Sequence, residues 1–232
     1  MVSPQSLSIV IPVLDEDRVI GATLAALQPM RAAGIEVVVA DGGSRDATRA
    51  IAAPLCDRVV DAPRGRALQM NAGAEASRGD ILVFLHADTM LPTNAPEAIR
   101  AALSSRAWGR FDVAISGGGA LLALVAAMMN VRSRVSGIAT GDQAIFVRRD
   151  AFRRAGAFPA IPLMEDVALS RALKRISAPA CLRERVVTSG RRWREHGTLA
   201  TILLMWRLRL AFALGADPRS LARRYDAGRD PA

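Results

Sequence analysis

Lysine is almost absent from this chain. Lys174 is the only one, so the excess of 31 basic over 22 acidic residues, a formal net charge of +9, is carried by arginine. Cysteine is nearly as scarce. Cys56 and Cys181 lie far apart, at no metal-ligand spacing and in no disulfide framework, which points to buried thiols in a reducing compartment. The two histidines, His86 and His196, are also distant, and no serine stands in Gly-x-Ser-x-Gly context. Those absences argue against a nucleophilic hydrolase and leave a zinc site short of ligands. Gly-x-Gly-x-x-Gly is missing, as is a P-loop, so neither common nucleotide fingerprint applies. No uninterrupted apolar run is long enough to span a bilayer: 118–131 is short, and 198–216 contains Arg207 and Arg209. The N-terminus runs almost directly into Leu7-Ser8-Ile9-Val10-Ile11-Pro12 without a basic leader, and a cytoplasmic protein is expected.

What is present suits one α/β domain. The 232 residues are 51% hydrophobic and 23% charged, enough for a full core and unlike a disordered chain. The first ninety residues alternate strand and helix. Strands are predicted at 7–11, 35–40, 57–61 and 81–85, with helices over 17–33, from Ser44 or Asp46 to about Ala53, and from Arg66 onward. The second half is less regular: helices at 93–104 and 120–131, strands at 108–115 and 144–147, a helix from Met164 to about Lys174, a long helix at 197–214 and a short one near 219–225. A largely parallel sheet with helices on both faces follows.

Carboxylates cluster just after the strand ends, at Asp15/Glu16, Asp41 and Asp88, where His86 also lies. In open α/β sheets ligands bind at that carboxyl edge. A nucleoside diphosphate there needs its charge neutralised, and carboxylates do so by holding a divalent cation. Asp88 is the best candidate ligand, and His86 either joins it or hydrogen-bonds a phosphate. Asp41, beside Gly42-Gly43, suits a nucleoside; Asp15-Glu16 suits base or ribose, or caps a helix. Arg64 and Arg66 flank Gly65 at a helix start suited to phosphate or nucleobase. Glu165-Asp166, at a helix N-terminus, is the best candidate for a general base that deprotonates a hydroxyl.

In order along the chain, these motifs resemble the family 2 glycosyltransferases of the GT-A fold. The segments that carry the resemblance are Ser8–Glu16, Val39–Thr48, Arg66–Asn71 with Gly73, Phe84–Asp88, Glu165-Asp166 and Arg191-Arg192-Trp193. They span about residues 6–215. His86 stands where the family's metal motif has its first aspartate, Ala40 where many relatives carry aspartate, and Asp15 where many carry asparagine. The combination of His-Ala-Asp, Gly-Asp-Gln and Arg-Arg-Trp is similar to a compact bacterial subgroup associated with radical-SAM and selenium-related genes.

The resemblance implies a single GT-A domain over 1–232, with 6–90 binding the nucleotide and 91–232 the acceptor. It implies a nucleotide-sugar donor, UDP-linked by default, held by Pro12, Asp15, Glu16, Asp41, Arg66, Asn71, Ala87, Arg191, Arg192 and Trp193. It also implies Mn2+ or Mg2+ on Asp88, with His86, and Asp166 with Glu165 as the catalytic pair of an inverting displacement. Gly141, Asp142 and Gln143 would shape the side of a small-molecule or lipid-linked acceptor.

Two other readings compete. A sugar-nucleotide nucleotidylyltransferase needs a glycine-rich basic loop after the first strand, where this chain has Val13-Leu14-Asp15-Glu16-Asp17. A noncatalytic nucleotide- or nucleic-acid-binding module is favoured only by net charge, and the acidic edge argues against a nucleic-acid groove. The helix near 198–214 either lies at an anionic membrane surface, packs within the protein or forms a homodimer interface.

Overall fold

The computed structural model describes residues 5–191, 193 and 197–227. Its centre is one eight-stranded sheet: β1 (Leu7–Val13), β2 (Glu36–Asp41), β3 (Arg58–Asp61), β4 (Ile81–Phe84), β5 (Thr89–Met90), β6 (Trp108–Ser116), β7 (Ile145–Arg148) and β8 (Ala180–Ser189), in the order β3-β2-β1-β4-β7-β6-β8-β5. The first four strands in that order run parallel, β7 is antiparallel to both its neighbours, and β8 is parallel to β6. Nine helices stand among the described residues: α1 (Ile20–Ala32), α2 (Thr48–Ala52), α3 (Arg66–Ala76), α4 (Ala95–Leu103), α5 (Ala120–Ser136), α6 (Arg149–Arg154), α7 (Glu165–Lys174), α8 (Thr198–Ala213) and α9 (Pro218–Ala227).

The continuous apolar runs of β1, β2 and β4 are buried on both faces, as a sheet covered on two sides requires. One core lies under α1 and α4, with Ile9, Ile11, Leu24, Val39, Val83 and Ile99 at zero or near-zero exposure. The other lies under α3, α6 and α7, built on Val10, Met70, Phe84, Trp108, Phe152 and Leu169. Gly73 lets α3 sit directly on the sheet, because a Cβ there would fall 2.4 Å from Val10 Cγ1. A third cluster joins Met164 and Val167 to Leu208 and Leu221 beneath the C-terminal helices.

β5, α6 and β8 were not anticipated. β8 reads Ala-Cys-Leu-Arg-Glu-Arg-Val-Val-Thr-Ser, and its charged centre hides the strand period. Its pairing with β6 supplies the missing backbone partners, and Arg183 and Arg185 are exposed along it. α5 runs five residues beyond its expected end, to a left-handed cap at Gly137.

Parallel pairing sets the site. Val13 lies opposite Asp41 and Val10 opposite Phe84, so the exits of β1, β2 and β4 open on one edge. No helix among the described residues is long and apolar enough to cross a membrane.

Candidate active site

The loop after β1 is laced to the loop after β2. Asp15 adopts φ 54° and accepts a hydrogen bond from the Arg45 N–H at 2.7 Å, while its own N–H donates to Ser44 Oγ. The Glu16 N–H donates to Thr48 Oγ1 at 2.8 Å and that of Asp17 to Asp46 Oδ2. Beneath them the buried Gln69 amide donates to the carbonyls of Val13 and Ala40, pinning the ends of two parallel strands. This residue escaped sequence reasoning, since a glutamine inside a helix carries no visible mark of its partners.

Asp41 does not offer an open carboxylate. Its side chain is fully buried and accepts from the Ser44 N–H and hydroxyl and from Arg49 Nη1 at 3.0 Å. Burial opposes its ionisation, but these hydrogen bonds outweigh that and hold its pKa below the usual value. Pro12 lies beside it in register with Ala40.

Glu16 faces the exit of β4. Burial and then the nearby Asp88 charge raise its pKa, against the pull of Arg191, His86 and Arg66. Arg191 Nη2 stands 4.0 Å from Glu16 Oε2. These residues, from four separate stretches, therefore share one electrostatic neighbourhood. Ala87 accepts the Thr23 hydroxyl through its carbonyl, which anchors the loop that carries Asp88. Trp193 is half-buried, and Arg192 lies outside the described residues.

His86 is engaged through one ring nitrogen. Its Nδ1 is 3.3 Å from Asp142 Oδ1, and its Nε2 is buried with no partner, against Gly141. Burial opposes ionisation of Asp142. The hydrogen bond and charge of His86, with the charges of Arg66 and Arg209, win and hold its carboxyl down at about 2.

Among the described residues no three His, Cys, Asp or Glu side chains form a ready-made metal cage. A hard cation bound through one or two carboxylates plus a ligand's phosphates needs none. Asp88, partly exposed at the sheet edge and accepting only a long 3.4 Å bond from Thr89, fits that mode, with Glu16 beside it.

On the far side, α7 begins after a left-handed Met164. Asp166 Oδ2 accepts the Gly141 N–H at 2.9 Å, and Oδ1 accepts the Val167 N–H. Glu165 is buried, with a 3% exposed side chain 3.5 Å from Arg66 Nη1. Burial and the Asp166 charge raise its pKa despite that arginine. Asn71, expected to line the donor site, is occupied elsewhere: its amide donates to the Phe158 carbonyl at 2.8 Å and accepts the Phe158 N–H at 3.0 Å. Gln143 turns inward and caps its own turn at the Thr140 N–H. Between these groups a cavity with room for about one water is lined by Arg66, His86, Gly141, Phe158, Glu165 and Asp166.

Arg132 and Arg209 complete this side. Both feel the charges of Asp142 and Asp166. Arg132 falls in register with the buried Val125, and Arg209 with the partly buried Met205 and Phe212. A cation on an apolar, packed stripe is the signal that marks them.

The site thus has a carboxylate edge for a cation and, across His86 and Asp142, a second carboxylate pair at a helix start. Comparison with known proteins gives that layout a context. Residues 8–118 match glycosyl transferase family 2. A glucosyl-3-phosphoglycerate synthase of Mycolicibacterium paratuberculosis (strain ATCC BAA-968 / K-10) is 32% identical over 98 residues, covering 38% of this chain and 30% of that protein. The chain therefore spans about a third of the length of the curated relative it matches. Among solved structures, the mannosyltransferase PcManGT from Pyrobaculum calidifontis, in complex with GDP-Man and Mn2+, aligns with a TM-score of 0.64 at 16% identity, covering 97% of this chain and 70% of that one. Glucosyl-3-phosphoglycerate synthase from Mycobacterium tuberculosis, in complex with Mn2+, UDP and phosphoglyceric acid, aligns with a TM-score of 0.60 at 18% identity, covering 91% and 79%. The fold is that of the GT-A glycosyltransferases.

Proposed function

We propose that this protein is a metal-assisted, inverting glycosyltransferase. It moves a sugar from a nucleotide-diphosphate sugar, UDP-linked by default, to a hydroxyl of a small-molecule or lipid-linked acceptor. The observation that carries this is the arrangement of Asp88 with Glu16 at the carboxyl edge of the parallel strands, across from Asp166 held by the Gly141 N–H. The family match over 8–118 and the relatives solved with UDP or GDP-Man and Mn2+ support it.

In this reading residues 6–90 take the nucleotide and 91–232 the acceptor. Asp88 would hold Mn2+ or Mg2+, whose charge offsets the departing diphosphate. Arg191 adds positive charge on that side, and Glu16, its pKa raised, orients it. Asp166 accepts the acceptor's hydroxyl proton as the bond to the anomeric carbon forms. Its carboxylate is aimed by two backbone N–H groups, and no side chain competes for it among the described hydrogen bonds. Glu165 anchors Arg66 beside it. His86 acts through Asp142, fixing the 141–143 turn on which Asp166 depends.

Calorimetry with UDP and GDP, with and without Mn2+, tests the donor site. Cation-dependent binding of one diphosphate, lost in Asp88→Ala, is expected. Binding unaltered by that substitution would remove Asp88 from the site.

We also propose contact with an anionic membrane. α8 leaves Leu199, Leu203, Trp206 and Leu210 exposed along one face, with Leu214 just past its end, and α5 does the same with Leu121, Leu124, Met128, Val131 and Val135. Neither helix carries a carboxylate, and the exposed Arg207 of α8 adds positive charge, which suits an anionic lipid surface. Co-sedimentation with phosphatidylglycerol vesicles should fall at least fivefold in Trp206→Ser. A concentration-dependent dimer in place of vesicle binding would assign the stripes to a second copy.

A further inference from the structure

Arg132 and Arg209 sit in the site with nothing to bind. Arg132 Nε and Nη2 are buried and have no hydrogen-bond partner, and neither guanidinium makes an ion pair within 4.0 Å among the described residues. The neighbouring carboxylates are already engaged: Asp142 with His86, Asp166 with the N–H groups of Gly141 and Val167, Glu165 with Arg66. Burial and then the charge of Arg209 push the Arg132 guanidinium down to about 10. Arg132 thus holds two buried N–H groups unsatisfied beside a second, partly buried guanidinium, an arrangement that costs stability unless an acceptor joins it.

The two arginines do not belong to the donor's half of the site. Glu16 responds to Asp88, Arg191, His86 and Arg66, whereas Arg132 and Arg209 respond to Asp142 and Asp166. Packing puts the second helix of the pair on the base's side: Met205, Leu208 and Phe212 of α8 pack with Met164 and Val167, which flank Glu165-Asp166.

We propose that Arg132 and Arg209 form a subsite for an anionic group of the acceptor, a phosphate or carboxylate carried near the hydroxyl that Asp166 deprotonates. The assignment rests on the glycosyl-transfer reading. Two planar forks offer parallel N–H donors matched to such oxygens. Anchoring the acceptor by its charge would fix the distance of its hydroxyl from Asp166, and a neutral analogue would be left loose in the site.

Inorganic phosphate is the probe, titrated into the isotope-labelled full chain, free and with UDP and Mg2+, and read from the arginine Nε–H resonances. The resonances of Arg132 and Arg209 should move together to saturation. Arg209→Gln should weaken phosphate binding at least tenfold while leaving UDP affinity within about twofold. Arg132→Met should do the same without lowering the thermal midpoint, because it removes buried nitrogens that lack partners. Parallel loss of UDP affinity in both variants would overturn the proposal and assign the pair to the donor's diphosphate. Resonances unmoved by phosphate in either state would overturn it outright. A wild-type chain that binds phosphate at this pair but no nucleotide would sink the glycosyl-transfer reading instead. Retention on phosphatidic acid vesicles, lost in Arg209→Gln, would place the anion on a lipid-linked acceptor, and phosphate binding without such retention would place it on a soluble one.

Discussion

The Gly141 N–H donates to Asp166 Oδ2 at 2.9 Å, which ties the turn carrying Asp142 to the helix start carrying the proposed base. The same glycine abuts His86. A Cβ on residue 141 would stand 2.3 Å from His86 Nε2, and the imidazole is already held from its other side by Asp142. Gly141→Ala should therefore displace His86 and misplace Asp166. The expected outcome is a fall in turnover of at least tenfold, with a stability loss of about 1–3 kcal/mol. Donor turnover and urea denaturation check the two parts.

Asp166→Asn keeps the shape of the side chain and removes its basicity. Turnover should drop by about 100-fold to 10,000-fold, the range over which a positioned base acts. UDP binding in the presence of Mn2+ should stay unchanged, since Asp88 lies on the other side of the site. A variant that lost donor binding as well would move Asp166 from proton transfer to donor positioning.

Asn71 makes two hydrogen bonds to the backbone of Phe158, 87 residues away. That bridge holds the segment leading to Glu165 against α3. Asn71→Ala should cost about 1–3 kcal/mol, because it leaves both backbone groups unpaired. Hydrogen exchange should rise between residues 156 and 164 while the sheet stays protected.

Acid should act through Asp41. Its folded-state pKa lies below the ordinary 3.8, with burial opposing and the hydrogen bonds from Ser44 and Arg49 prevailing. A depressed carboxylate pKa contributes stability that is full above the unfolded value and is lost as the pH falls through the folded one. The stability advantage of the wild-type chain over Asp41→Asn should thus be complete at neutral pH and shrink below about pH 4. Paired denaturation curves from pH 7 down to pH 3 measure it.

The chain's own pattern was enough for the first half of the fold. Apolar runs bounded by Pro12, Gly34 and Asp80 placed β1, β2 and β4, and parallel pairing followed from their alternation with helices. It also put Asp15, Glu16, Asp41, His86 and Asp88 at one edge, because strand ends are local and their order is topological. β8 was illegible, since its alternation is broken by Arg183, Glu184 and Arg185 and its strand character comes from pairing with β6, seventy residues earlier.

What each of those polar residues touches was decided only in three dimensions. Asp41 and Asn71 have the chemistry to meet a ligand, yet each is occupied by backbone or side-chain partners within the fold, and Gln143 spends its amide oxygen on its own turn. Arg132 and Arg209 stand 77 positions apart on apolar helices and come to face the same two carboxylates. Periodicity reports which face of an element is buried; it carries no record of which distant group waits there. Hydrogen bonds and charges act over a few ångströms, and that proximity is created by packing, after the local preferences have been spent.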